Sequence, residues 1–236
     1  MSEVAVLHVW GTRSVPSALW RMGRDRVGLR STPGLRFAKL LGTGSGETFT
    51  LRDADPHHWA TLTVWDDDAS ARAFDSGRLV GAWDSLAHER LRVVMSPLSS
   101  RGSWSGAEPF TAEPFTAEPS TVEPAERHAG PVAAITRARL RVRRAATFWR
   151  AVPPVSSDLQ GSPGLRMSLG IGEAPIGLQG TFSLWESSDA LVDFAYRRAP
   201  HREVVRRTAS AGWYAEELFA RFALREVEGT YRGTAP

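Results

Sequence analysis

Three blocks of this chain occur twice, in the same order. TPGLRFAKLLGTGSGE (32–47) resembles SPGLRMSLGIGEAP (162–175), and ATLTVWDDDASARAF (60–74) resembles GTFSLWESSDALVDF (180–194). AWDSLAHERLRVV (82–94) resembles GWYAEELFARFAL (212–224). One such match is cheap. Three in sequence order imply a duplicated unit, and a duplicated unit folds twice to one plan.

Hydrophobic periodicity gives that plan. In the first half Val4–Trp10 reads as a strand and Val15–Leu29 as a helix. Leu35–Leu41 and Trp59–Trp65 alternate as strands, Asp68–Ser76 opens a helical region, and Leu91–Met95 closes as a strand. In the second half Val132–Leu140 is a strand and Ala145–Ala151 a helical segment. Leu165–Ile171 and Gln179–Trp185 follow as strands, and Ser187 or Ser188 caps a helix that ends before Pro200. Phe219–Val227 is the last strand. The order β-α-β-β-α-β is the ferredoxin-like unit, one sheet with both helices on one face. The bare face must be covered. Two tandem units, 1–105 and 132–236, can cover each other sheet against sheet. The expected fold class is therefore α+β, an α+β barrel with a cavity between the sheets. The segment 106–131 carries a repeated FTAEP with regularly spaced proline, the composition of an extended, solvated, flexible linker. His128 lies within it and is discounted as a ligand.

Composition removes several chemistries. There is no cysteine, which excludes disulfides, a thiolate nucleophile and cysteine-ligated zinc, iron–sulfur or haem iron. The net charge is +3, and Lys39 is the only lysine. Most arginines alternate with acids or apolar residues, and RARLRVRR (137–144) reads as a strand with arginines on its exposed side. A nucleic-acid partner is not expected. MSEVAVLHVW lacks a basic region followed by an apolar run of signal length, and no stretch has the length of a membrane span. A cytoplasmic location is the default expectation.

Two side chains stand out. His201 follows Pro200 at the start of a new helical segment and shares a face with Val204, Val205 and Thr208. Arg202, Glu203, Arg206 and Arg207 take the opposite face. A helix N-terminus disfavours imidazolium, and a neutral imidazole facing a cavity is what a metal or haem iron requires. The segment APHREVVRRT has no counterpart in the first half. A hydrogen-bonded, partly buried histidine satisfies the same pattern, so pattern alone leaves both readings open. The other histidines show no HxH, HExxH or carboxylate-triad spacing. Lys39 shares a strand face with Leu35, Phe37 and Leu41. It is either at a strand end reaching solvent or paired with an anion in a pocket. GTGSGE (42–47) matches neither phosphate-binding glycine pattern and reads as a turn or a rim loop. Core packing accounts for most of the nine tryptophans. Trp213 and Tyr214, near the His201 segment, are expected to line the cavity.

TPGLRFAKLLGTGSGETFT, GIGEAPIGLQGTFSLW, HREVVRRTASAGWYAEELFARF and SSRGSW (99–104) resemble the spheroidene monooxygenase (acyclic carotenoid ketolase) family. The resemblance covers nearly the whole chain outside the proline-rich segment. It implies a tandem relative of dimeric α+β barrels, the architecture of haem-binding chlorite dismutases and aldoxime dehydratases. It further implies haem b as cofactor, with His201 as the iron ligand and Val205, Thr208, Trp213 and Lys39 around it. Lys39 would neutralise a propionate or orient a ligand.

The activity so implied is a monooxygenase inserting oxygen from O2 into an apolar, carotenoid-like small molecule. With no reductase domain or flavin fingerprint, electrons must come from an external donor such as ferredoxin. An apolar substrate implies transient membrane contact, although no amphipathic anchor stands out, and a homodimer is compatible with the fold. Rival expectations are an aldoxime-dehydratase-like haem enzyme, a non-catalytic haem-binding protein, and a cofactor-free oxygenase in which His201 is structural.

Overall fold

The computed structural model describes residues 3–29, 32–47, 53–114, 128–141, 143, 158–173, 178–197 and 212–236. The first half contains strands β1 (Val4–Thr12), β2 (Leu35–Gly44), β3 (Ala54–Trp65) and β4 (Ala87–Gly102). Helices α1 (Val15–Leu29), α2 (Asp68–Asp75) and α3 (Arg78–Asp84) lie between them. A two-residue strand β5 (Glu113–Pro114) follows. The second half contains β6 (Val132–Leu140), β7 (Leu165–Gly172), β8 (Leu178–Trp185) and β9 (Tyr214–Gly229). Helix α4 (Ser188–Val192) runs into a π-helical turn, Asp193–Arg197. Side chains cap the helices that need it. Asp67 accepts the Ser70 N–H at 2.8 Å, and Ser187 accepts the Ala190 N–H at 3.2 Å. The helix expected at Ala145–Ala151 and the His201 segment lie outside the described residues.

The strands run in the order β1-β3-β2-β7-β8-β6-β9-β4, and β4 returns to pair with β1. The sheet is thus a closed, antiparallel eight-stranded barrel, with β5 added in parallel to the far end of β4. The halves join at two seams. At one, Gly42, Thr43 and Gly44 of β2 pair with Gly172, Ile171 and Gly170 of β7. The backbones approach closely there: a Cβ on Gly170 would stand 3.0 Å from the Gly46 nitrogen. Gly42–Gly44 of this glycine-rich stretch are therefore the end of a seam strand, and Ser45 and Gly46 follow it. At the other seam β4 pairs with β9 from Leu91↔Gly229 to Gly102↔Leu218.

This second seam has near two-fold symmetry, and it exposes a repeat not evident in the sequence. Each long strand ends in one turn: RGSWSGA (101–107) after β4 and EGTYRGT (228–234) after β9. Gly102, Ser105 and Gly106 have φ of 93°, 57° and 75°, and Gly229, Arg232 and Gly233 have 90°, 54° and 74°. Trp104 bridges to Ala107 and Tyr231 to Thr234. A Cβ on Gly102 would collide with the Glu217 carbonyl oxygen, and one on Gly229 with that of Arg90. The positive φ and the close approach together demand glycine.

An eight-stranded barrel has an interior just wide enough for side chains to fill it. Leu7, Leu41, Leu62, Leu91, Met95, Phe182 and Phe222 fill it here, with Trp104 and Phe110 joining the cluster. This corrects the expected cavity between the sheets: alternate residues of every strand occupy that space. It also corrects the start of the linker. Phe110 is 6% exposed, edge-on to Phe222 at 4.8 Å, and the Thr111 N–H donates to Glu3 at 2.9 Å. Residues 107–114 are thus built into the barrel, and 115–127 of the expected linker lie outside the described residues.

Phe110→Ala should remove a buried ring and cost about 3 kcal/mol of stability. Urea unfolding monitored by far-UV circular dichroism reads this directly. A midpoint equal to that of the unsubstituted chain would show that the segment is a passive tether.

Candidate functional site

Among the described residues the barrel interior is occupied by side chains, and the outer faces differ between the copies. Strand register aligns them residue by residue. His8 pairs with Thr61 in the first half as Thr136 pairs with Thr181 in the second. Leu40 pairs with Thr61 as Gly170 pairs with Thr181. The outward row of β1 is then Val6, His8 and Trp10, and that of β6 is Ala134, Thr136 and Ala138. The first row is sealed: Val6 and Trp10 lie in one buried cluster with Ala18 and Leu29 of α1, Phe74 of α2, and Val80 and Trp83 of α3. Trp10 stacks on Trp83 at 5.3 Å and donates to Asp84 at 2.7 Å. The second row holds a small side chain at each equivalent position, with Thr136 exposed between the buried Ala134 and Ala138. Val132, Ala134, Trp185, Leu191 and Phe194 close one end of it.

Five of the six histidines fall among the described residues, and four of them are held by the chain itself or lie at a strand rim. His8 is fully buried, stacked on Trp10 at 5.1 Å, with Nε2 3.1 Å from Asp75. Its contact is misaligned for a hydrogen bond, and Nδ1 has no partner. Burial lowers its pKa despite the opposing pull of Asp75. His58 spans Asp55 and Glu89, each at 2.8 Å. His57 contacts the Thr12 carbonyl at 3.0 Å, and His88, at the start of β4, approaches Glu89 at 3.9 Å. The fifth, His128, has its carbonyl bonded to Ser188 at 3.0 Å. None projects from the small-residue floor, and no group of metal-ligating side chains occurs among the described residues.

The barrel rim below Trp104 gathers charge from four strands. Lys39 of β2 donates to Ser105 at 2.6 Å and to Glu173 at 2.7 Å. Arg137 of β6, 3% exposed, meets Glu173 at 3.3 Å and also pairs with Glu216 of β9. Glu216 further accepts the Gly106 N–H at 2.7 Å and the Ser103 hydroxyl at 3.1 Å. Burial pushes the Glu216 carboxyl up, but these donors and the guanidinium outweigh it and hold its pKa at about 2. Glu89 repeats the arrangement at the other turn, accepting the Gly233 N–H at 2.9 Å and Thr230 at 3.0 Å. Beside Lys39 lies a cavity of about 390 Å³ bounded by Arg26, Leu29, Phe37, Lys39 and Glu173.

Lys39 therefore faces a cavity, as one sequence reading held, but its counter-ion is the chain's own Glu173. Trp213 is buried just before β9, and its carbonyl accepts the Arg141 N–H at 2.8 Å. His201, Val205 and Thr208 lie outside the described residues. Sequence reasoning missed Glu173, Arg137, Glu216 and the β6 floor. Aligning β1 with β6 would have found the floor.

The two perturbed groups set opposite pH windows. His8 has a lowered pKa when folded, so its contribution is favourable above its ordinary value near 6.5 and is lost as pH falls through it. Glu216 contributes fully above its ordinary value of 4.5, and this is lost as pH falls toward about 2. His8→Leu should flatten the fall of Tm between neutral and mildly acidic pH. Glu216→Gln should flatten it only in the acid range. Tm measured against pH for the three proteins checks both signs.

No protein-family profile matches the chain. It is 37% identical over 237 residues to the spheroidene monooxygenase of Rhodobacter capsulatus, covering 100% of this chain and 95% of that one. The Rubrivivax gelatinosus spheroidene monooxygenase is 35% identical over 219 residues, covering 91% and 80%. Among solved structures an aldoxime dehydratase superposes with a TM-score of 0.63 at 12% identity, over 95% of this chain and 82% of that one. A second, in complex with butyraldoxime, gives 0.62 at 12%, over 99% and 84%. These structures share the tandem barrel fold. On full-length identity to its curated relatives, the chain belongs to the spheroidene monooxygenase family.

Proposed function

We propose that this chain is a haem b monooxygenase that oxygenates an apolar, carotenoid-like molecule on the outer face of its second half. Membership of a monooxygenase family supplies the reaction class. The observation that carries the location is the floor of Ala134, Thr136 and Ala138 where the first half holds Val6, His8 and Trp10. A flat ring needs a flat apolar seat, and small side chains at three successive outward positions of a strand provide one. No described histidine lies on the outward row of β6, and we assign the iron to His201, which lies outside the described residues. Haem, when bound, activates O2.

The chain's own residues do the rest. The small residues of β6 set the depth of the seat. His201 would hold the metal, and Val205, Thr208 and Trp213 would exclude water around it. Arg137 and Lys39, each paired with Glu173, brace the rim rather than neutralise a propionate. Electrons come from an external donor such as ferredoxin.

The test is the visible spectrum of protein expressed with a haem precursor. The chain should show a Soret band, and His201→Ala should lose most of it while far-UV circular dichroism stays unchanged. An unaltered spectrum in His201→Ala removes the assignment. Product formed without O2 or reductant would replace oxygenation by a dehydration.

A further inference from the structure

Helix α1 faces outward with a composition that does not suit water. Its buried side is ordinary: Ala18 and Leu29 pack on the sheet. Asp25, the only acid of the helix, is 7% exposed and accepts from Trp83 at 3.0 Å. The exposed positions between residues 13 and 29 are Arg13, Pro16, Leu19, Trp20, Gly23, Arg24, Arg26, Val27 and Gly28. None of these is acidic and none is a neutral polar residue. Leu19, Trp20 and Val27 are 55%, 59% and 72% exposed, the large hydrophobic residues most open to solvent among the described residues. The Arg24 guanidinium lies 4.9 Å from the centre of the Trp20 ring. A solvent-facing helix in a soluble domain normally carries its charged and polar residues on that side.

From this we infer that α1 is a docking surface for a bilayer bearing anionic headgroups. Apolar side chains flanked by arginine are what an interfacial helix presents to a membrane: the hydrocarbon parts enter the acyl boundary while the guanidinium groups stay with the phosphates. Tryptophan favours that depth because its ring is apolar and its N–H is polar. The charge fixes the occupant: Arg24 and Arg26 on the helix and Arg13 just before it, with no exposed acid between residues 13 and 29, complement an anionic surface. A helix of fifteen residues is about 22 Å long, enough to lie along a membrane plane and too short to cross it. No helix among the described residues is long and apolar enough to cross a membrane. Arg26 and Leu29 of α1 also border the cavity beside Lys39, so a bilayer seated on α1 adjoins the mouth of that cavity. The inference does not rest on the haem assignment.

The test is co-sedimentation of the full chain with vesicles that contain no carotenoid, either pure phosphatidylcholine or one-third phosphatidylglycerol. The chain should bind the anionic vesicles, and high salt should weaken binding. L19E/W20E/V27E should reduce the bound fraction roughly tenfold or more at unchanged Tm, because all three side chains are exposed. R24E/R26E should lose binding to anionic vesicles selectively, and it serves as the independent arm if the triple variant misfolds. Equal binding by the wild type and R24E/R26E would overturn the inference. So would a wild type that leaves anionic vesicles bare, including one that forms a dimer which the triple variant dissociates.

Discussion

The pairing of β4 with β9 determines the rest of the molecule. Each strand is sixteen residues long, longer than its own half requires, and the excess hydrogen-bonds across to the other half. A ferredoxin-like unit alone leaves one sheet face bare. Here two such faces are rolled together and locked by a seam whose ends are Leu91↔Gly229 and Gly102↔Leu218. Glycine at both ends lets each strand turn away at positive φ against the partner backbone. The turns then carry Trp104 and Tyr231 back to bridge their own loops, and Glu216 and Glu89 collect the turns' free N–H groups. Closure fixes the interior volume, and that volume is taken up by side chains.

Function must therefore sit where the copies differ. Duplication gives two outer faces, and only one has to be a core. The first is closed over Trp10 and Trp65 by α1, α2 and α3, the last contributing Trp83. The second is floored with alanine and threonine at the equivalent positions. Small residues in that row forgo burial of about 2 kcal/mol for each large side chain they replace. Such a loss persists when something other than the protein's own side chains covers the face. On the proposed reading, the sealed half and the working half are one architecture with two different fillings. The outward-facing helix of the stable half, freed from catalysis, carries the surface proposed to meet the membrane.

The duplicated blocks made the order of elements along the chain and the α+β class legible, and α1 and β6 were read with their observed bounds. The ends of β4 and β9 were not legible. Ser96, Pro97, Ser99 and Ser100 have little intrinsic strand preference and are extended because β9 pairs with them. The pentapeptide FTAEP occurs at 110–114 and again at 115–119. Identical sequence gives no sign that the first copy inserts its phenylalanine into the barrel. The sequence left Lys39 either reaching solvent or paired with an anion in a pocket, because Glu173 lies 134 positions away in the chain and only the β2–β7 seam brings them together. The contrast between Val6, His8, Trp10 and Ala134, Thr136, Ala138 went unread because the matched blocks begin after the first strand of each half.

The central claim is that the working site lies over the outer face of β6 and not inside the barrel. Thr136 is exposed at the middle of that face, and its backbone is held on both sides by β8 and β9. Turnover by Thr136→Trp is the most direct measurement. The account predicts a folded protein with nearly unchanged Tm that has lost haem uptake and oxygenation, because the indole occupies the seat. A Thr136→Trp protein that turns over normally would contradict it.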